Sequence, residues 1–192
     1  MADTSTRTGA FRSRRRIIVW AALVAAVALL AVAAVRWLLP EAERVEDDAA
    51  GLSYELPAGW EELPDYDRAE RFTSAADAGL LGPFVGGFGE EFAPGGDLGA
   101  LAESMAVELP RDMLSASTAF TVLRSESVDI GGRAAHEIEL TAADPVHGGA
   151  YVRLLVVAVD AGRAGVLYGF DYLDLDDARG EIGDVFASVE LC

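Results

Sequence analysis

Tyr151-Val152-Arg153-Leu154-Leu155-Val156-Val157-Ala158-Val159 carries an apolar side chain at every position except Arg153. Side chains alternate across a strand, so a run that is apolar at both odd and even positions predicts a strand buried on both faces. The turn residues Asp160-Ala161-Gly162-Arg163 then bring the chain back into a partner strand over Gly165 to Tyr172. The fold is therefore expected to centre on a hairpin that needs cover above and below.

Upstream of this hairpin, Phe120 to Ile130 and Ala134 to Ala142 read as a second strand pair, joined at Gly131-Gly132. Before it, Leu98, Leu101, Ala102, Met105 and Leu109 recur at helical spacing, with Asp97 placed as N-cap and Pro110 as the stop. Arg111 to Ser117 carries no pattern that assigns it. Nearer the N-terminus, Gly51 to Leu56 alternates as a strand and ends at Pro57-Ala58-Gly59-Trp60, and Arg68 to Thr73 and Phe84 to Phe92 read as two short strands. A last helix, capped around Asp174 or Asp176, presents Ile182, Val185, Phe186 and Val189 on one face, and Ser188 to Leu191 trails off. The sum is an α+β fold: a mostly antiparallel sheet flanked by helices, as an α/β/α sandwich.

Residues 17–39 form an apolar run of 23 residues interrupted only by Arg36. As a helix it would reach about 34 Å, enough to cross a bilayer with modest tilt. Through position 39 there are six basic residues and one acid, and beyond it nine and 31, giving net charges of +5 and −22 within the total of −17. The positive-inside rule puts residues 1–16 in the cytoplasm and the acidic part outside. Trp20 and Trp37 suit the two headgroup levels, and Arg36 is close enough to the outer end to snorkel into water. Residues 40–50 read as an acidic stalk, and residues 51–192 as one extracytoplasmic domain.

Other addresses compete with a retained anchor. Ala31-Val32-Ala33 offers a signal-peptidase site, which would release a secreted domain, although the apolar run continues past it through Leu39. Ser13-Arg14-Arg15-Arg16-Ile17-Ile18 resembles a twin-arginine signal, a string that arginines ahead of any span also produce. A lipoprotein is excluded, because the single cysteine is Cys192. All fifteen basic residues are arginine and alanine is abundant, a bias associated with GC-rich bacterial genomes. The expected location is a bacterial plasma membrane. An ectodomain of −22 repels nucleic acid, leaving the bilayer around the span and an envelope protein or small ligand as expected partners. With one cysteine there is no internal disulfide, and Cys192 can at most pair between chains.

Tyr54-Glu-Leu-Pro-Ala-Gly-Trp60, Val128-Asp-Ile-Gly-Gly-Arg-Ala-Ala135, the paired long strands and the closing Phe186-Ala-Ser-Val-Glu-Leu191 resemble the PsbP-like superfamily over roughly residues 51–191. That grouping includes the Mog-type Ran-binding proteins and exported lipoproteins of the mycobacterial LpqN type. The resemblance implies an antiparallel sandwich, an envelope setting and a binding or assembly role. It carries over no catalytic residue, and the lipid-bearing cysteine of the exported lipoproteins is missing here.

The residues themselves offer little chemistry. His136 shares a face with Ala134, Ile138 and Leu140, which reads as a hydrogen-bonded core histidine ahead of a catalytic base. His147 and Asp144 lie in one loop, two potential ligands that fall short of a metal site. Gly82 to Gly89 lacks the Lys-Ser or Lys-Thr ending of a phosphate loop, and a bent or bulged strand is expected instead. Asp171, Asp174, Asp176 and Asp177 suggest a calcium cluster, with helix capping as the favoured explanation. No serine stands in a Gly-x-Ser-x-Gly elbow, and no nucleophile, base and orienting partner assemble from the pattern. A non-catalytic binding module without cofactor is the expectation, with a hydrolase of unrecognised site as the alternative.

Overall fold

A computed structural model of the chain describes residues 42–64, 71–146 and 148–192. In chain order the elements are β1 (Glu43–Asp47), β2 (Leu52–Leu56), β3 (Glu61–Glu62), β4 (Ser74–Asp77), β5 (Phe84–Glu91), α1 (Leu98–Glu108), β6 (Ala119–Ile130), β7 (Arg133–Asp144), β8 (Gly148–Ala158), β9 (Arg163–Asp171), α2 (Asp176–Ala187) and β10 (Glu190–Leu191). The strong apolar run is β8, paired antiparallel with β9 from Tyr151 opposite Asp171 to Ala158 opposite Ala164. Around that hairpin a seven-stranded sheet forms in the order β3-β4-β5-β9-β8-β7-β6, antiparallel throughout.

Both faces of β8 are buried, as its sequence requires. Val152, Leu154 and Val156 meet Ala102, Met105 and Ala106 of α1, while Tyr151, Leu155 and Val157 join the cluster containing Ile182, Val185 and Phe186 of α2. Each such aliphatic side chain contributes about 1.5–3 kcal/mol relative to exposure. The cover is asymmetric, however. One face is closed by α1 and the short 3₁₀ turn Leu109–Asp112, and the other by α2 together with a second sheet of order β1-β2-β10. The sandwich expected from helices alone is thus completed on one side by strands.

That second sheet corrects two expectations. Glu43–Asp47, read as stalk, is a strand paired with β2, with Val45 and Asp47 buried. The compact unit runs Ala42–Cys192 and begins nine positions before Gly51. Likewise Glu190–Leu191 does not trail off but pairs with Ser53 and Leu52 of β2. Both segments are too short and too charged to announce themselves, and they are held by a hydrogen-bonding edge that only the folded chain provides.

In β5, Gly86 and Gly87 are not the sign of a bulge, since pairing with β4 and β9 is continuous. They make room. A Cβ on Gly87 would lie 2.6 Å from Ser74 Oγ and 2.7 Å from Asp47 Oδ2, and one on Gly86 would meet the Phe72 ring. The irregularity sits instead in β6, where the register against β7 shifts between Val122 and Arg124. Of the expected strand Arg68 to Thr73, residues 68–70 lie outside the described residues, and Arg71 to Thr73 precede the strand that forms, Ser74–Asp77.

Among the described residues no helix is long and apolar enough to cross a membrane. The expected span at 17–39, with Trp20, Arg36 and Trp37, lies outside them.

Candidate functional site

Antiparallel pairing brings several connections to one end of the large sheet. The β4–β5 loop is there because Asp77 pairs with Phe84, and the β9–α2 loop because Phe84 pairs with Phe170. The β7–β8 turn joins them, since Tyr151 lies opposite Asp171 and Asp144 opposite Gly148. An open groove of about 310 Å³ lies at this end, its walls made by Asp77, Leu81, Phe84, Met113, Phe170 and Tyr172. Apolar side chains stand in water on the same connections: Leu80 is 98 % exposed and Leu81 64 %, and Val146, Leu173 and Leu175 are exposed as well.

The backbone is unusual at the same end. Among the described residues the non-glycine positions with positive φ are Leu81, at 67°, and Asp174, at 52°. Asp tolerates that region, whereas a leucine there carries a steric cost. The Gly79-Leu80-Leu81-Gly82 tip is a tight turn closed by its hydrogen bonds, Gly82 N to Gly79 O at 2.9 Å and Gly79 N to the Asp77 carboxylate at 2.9 Å. Sequence reading passed over Gly79-Leu-Leu-Gly82, and the signal it offered was two leucines inside a turn.

Of the four acids weighed as a calcium cluster, two are engaged separately and two face water. Asp171 Oδ2 accepts from Leu175 N at 2.8 Å, Asp174 Oδ1 accepts from Arg179 Nε at 2.7 Å, and Asp176 and Asp177 stand exposed in the first turn of α2. The N-cap of α2 is Leu175, so neither Asp174 nor Asp176 caps it; Asp171, from the end of β9, satisfies the cap backbone. Asp174 also pulls the Arg179 guanidinium above its ordinary pKa. Among the described residues no three His, Cys, Asp or Glu side chains converge as a metal ion would need.

His136 does face α1, beside Gly99 near the helix start, but it is half-buried. Its Nε2 lies 2.9 Å from Ser125 Oγ, a hydrogen bond whose direction depends on the tautomer. His147 falls outside the described residues, and its neighbour Asp144 accepts from Ser115 N at 2.6 Å and from the Thr118 hydroxyl at 2.5 Å. Cys192 is exposed, with its thiol pKa raised by partial burial and by the charge of Asp48. Asp97 caps α1 as expected, accepting from Gly99 N at 2.9 Å and Ala100 N at 3.1 Å.

The deepest polar cluster escaped the sequence because one member had been read as stalk. Asp47 accepts from Ala50 N at 2.9 Å, from Thr73 Oγ1 at 2.7 Å and from Ser74 Oγ at 2.6 Å, and Tyr54 donates its hydroxyl to Ser74 Oγ at 3.0 Å. Burial, together with the charge of Asp47, pushes the Tyr54 phenol up to about 12 despite the hydrogen bond to Ser74. On the α2 face Arg153 donates to Glu137 at 2.6 Å and lies over the Phe186 ring. These groups satisfy one another inside the protein.

Comparison with solved structures places this arrangement among known folds. Cyanobacterial PsbP (CyanoP) from Synechocystis superposes with a TM-score of 0.58 at 14 % identity, covering 81 % of this chain and 95 % of that one. The fold is PsbP-like. LpqN of Mycobacterium tuberculosis, involved in cell envelope biogenesis, matches at a TM-score of 0.52 and 13 % identity over 79 % of this chain and 86 % of that one. The Saccharomyces cerevisiae Ran-binding protein Mog1p matches at 0.51 and 9 % identity, over 79 % and 95 %. At these identities the likeness establishes the PsbP-like fold. No family model and no curated protein sequence matches the chain.

Proposed function

We propose that this chain is a single-pass, membrane-anchored envelope protein whose PsbP-like domain acts outside the cytoplasm as a non-catalytic binding module. The observation that carries the binding role is the groove at the sheet end, open and bordered by leucines that a folded domain ordinarily turns inward. The same fold in a Ran-binding protein and in an envelope-biogenesis protein supports a recognition role and an envelope setting. The anchor rests on residues 17–39 and on the change of charge across them.

Protease added to intact spheroplasts is expected to remove the acidic domain while residues 1–16 stay protected. Protection of the domain would reverse the orientation, and its recovery in the medium, cut near Ala33, would replace the anchor by a secreted form. For the non-catalytic role, the purified full-length chain is expected to be inert in an esterase, peptidase and glycosidase screen. Activity abolished by His136→Ala, with the circular dichroism spectrum unchanged, would make it a hydrolase.

A further inference from the structure

We propose that the groove end of the sheet binds a polypeptide segment of a partner protein that presents an apolar side chain flanked by arginine or lysine. This rests on the binding-module reading and adds to it a surface and the chemistry of the occupant. The apolar half of the match is on the page: Leu80 and Leu81 line a groove with Phe84 and Phe170, and Leu173 and Leu175 stand exposed on the adjoining β9–α2 connection, so an inserted side chain would exchange water for rings and leucines.

Charge chooses among the occupants. Asp77 lines the groove, Asp112 stands exposed beside Met113, and Asp176 and Asp177 are exposed at the start of α2. Of the described basic residues on these connections, Arg179 is spent on Asp174 and Arg111 stands exposed beside Asp112, so the four acids outnumber the one exposed cation among the described residues. One acid in the groove wall and an excess of acids on the adjoining connections repel anionic lipid headgroups, and they repel a second copy of this chain, whose domain is equally acidic. They favour a segment that carries its apolar anchor between cations. The hydrogen-bonded turn Gly79 to Gly82 presents Leu80 and Leu81 to water before any partner arrives, which lowers the ordering cost of docking.

The test uses the full chain in intact membranes, with a photoreactive benzophenone amino acid replacing Leu80 or, separately, Leu173. A control probe replaces Arg133, which lies in the β6–β7 hairpin at the other end of the sheet. The expected result is a protein adduct from both groove probes and none from the control, mapped by mass spectrometry to a segment with Arg or Lys within a turn of an apolar residue. The combined substitutions Asp112→Asn, Asp176→Asn and Asp177→Asn should lower the adduct yield roughly fivefold or more, and high salt should act in the same direction. Leu80→Asp should abolish the adduct from the Leu173 probe with the fold unchanged, since Leu80 packs against nothing. An adduct to lipid, to a second copy or to a segment without basic flanks overturns the proposal. Protein adducts from the Arg133 probe alone would overturn the surface and leave the binding module standing. No adduct from any position would remove both.

Discussion

At the scale of single residues, Asp47 and Tyr54 show how a surface-looking acid becomes structural. Asp47 is 4 % exposed and Tyr54 fully buried, and the Ser74 hydroxyl links them. A phenol held neutral to about pH 12 in the fold ionises near pH 10 when unfolded, so between those values the unfolded chain loses its proton first. Stability is then complete below about pH 10 and falls as the pH rises toward 12, by up to about 3 kcal/mol. Urea melts across that range should record the fall, and Tyr54→Phe should flatten it. Tyr151, shifted the same way by burial and by Glu139, will leave a residual slope. Gly87→Ala tests the packing of this cluster, because its Cβ would press on two oxygens already bonded to each other. A loss of about 1–3 kcal/mol is expected in the same melts. His136→Ala should cost only about 1 kcal/mol, since the ring is half-buried and shares a hydrogen bond with Ser125.

Among the elements, α2 is the one whose sequence misleads about its start. Acids at Asp174, Asp176 and Asp177 look like caps, yet the loop enters with Asp174 at positive φ, and the cap bond comes from Asp171 on the preceding strand. Asp171→Ala should therefore destabilise by about 1 kcal/mol or somewhat more, read as a drop in thermal midpoint, while Asp177→Ala should change it much less. In contrast α1 begins at the Asp97 cap and ends at Glu108, just before Pro110, and the 3₁₀ turn Leu109–Asp112 takes up the first two residues of the segment left unassigned. Local chemistry fixed the helix bounded by a cap and a proline. It did not place the helix whose cap arrives from another element.

For the whole molecule, the decisive strands are the weakest in sequence. Removing residues before Gly51 would delete β1, expose the Val45 contact surface and strip Asp47 from Thr73, Ser74 and Ala50. A chain beginning at Gly51 is accordingly expected to be less stable than one beginning at Ala42 by about 3–6 kcal/mol, from one buried valine and a broken polar network. Matched denaturant curves of the two chains measure it, and equal midpoints would make β1 dispensable. The groove end belongs to this scale as well, because its walls come from the β4–β5 loop, the residue after the 3₁₀ turn and the β9–α2 loop, which are scattered over some hundred positions.

By itself the sequence determined what depends on neighbours along the chain. Period-two and both-face apolar patterns placed β6, β7, β8 and β9, Gly131-Gly132 placed a turn, and helical spacing placed both helices, because each rests on side chains a few positions apart. The expected membrane span and its orientation rest on composition in the same way. Only the tertiary structure decided the pairing of β1 and β10 with β2, the burial of Asp47, the reason for Gly86 and Gly87, and the gathering of Leu80, Leu173 and Phe170 at one end. Those features depend on which edges lie free and which loops share an end once a seven-stranded sheet has closed. No local pattern encodes that, since the energy comes from contacts between residues far apart in sequence.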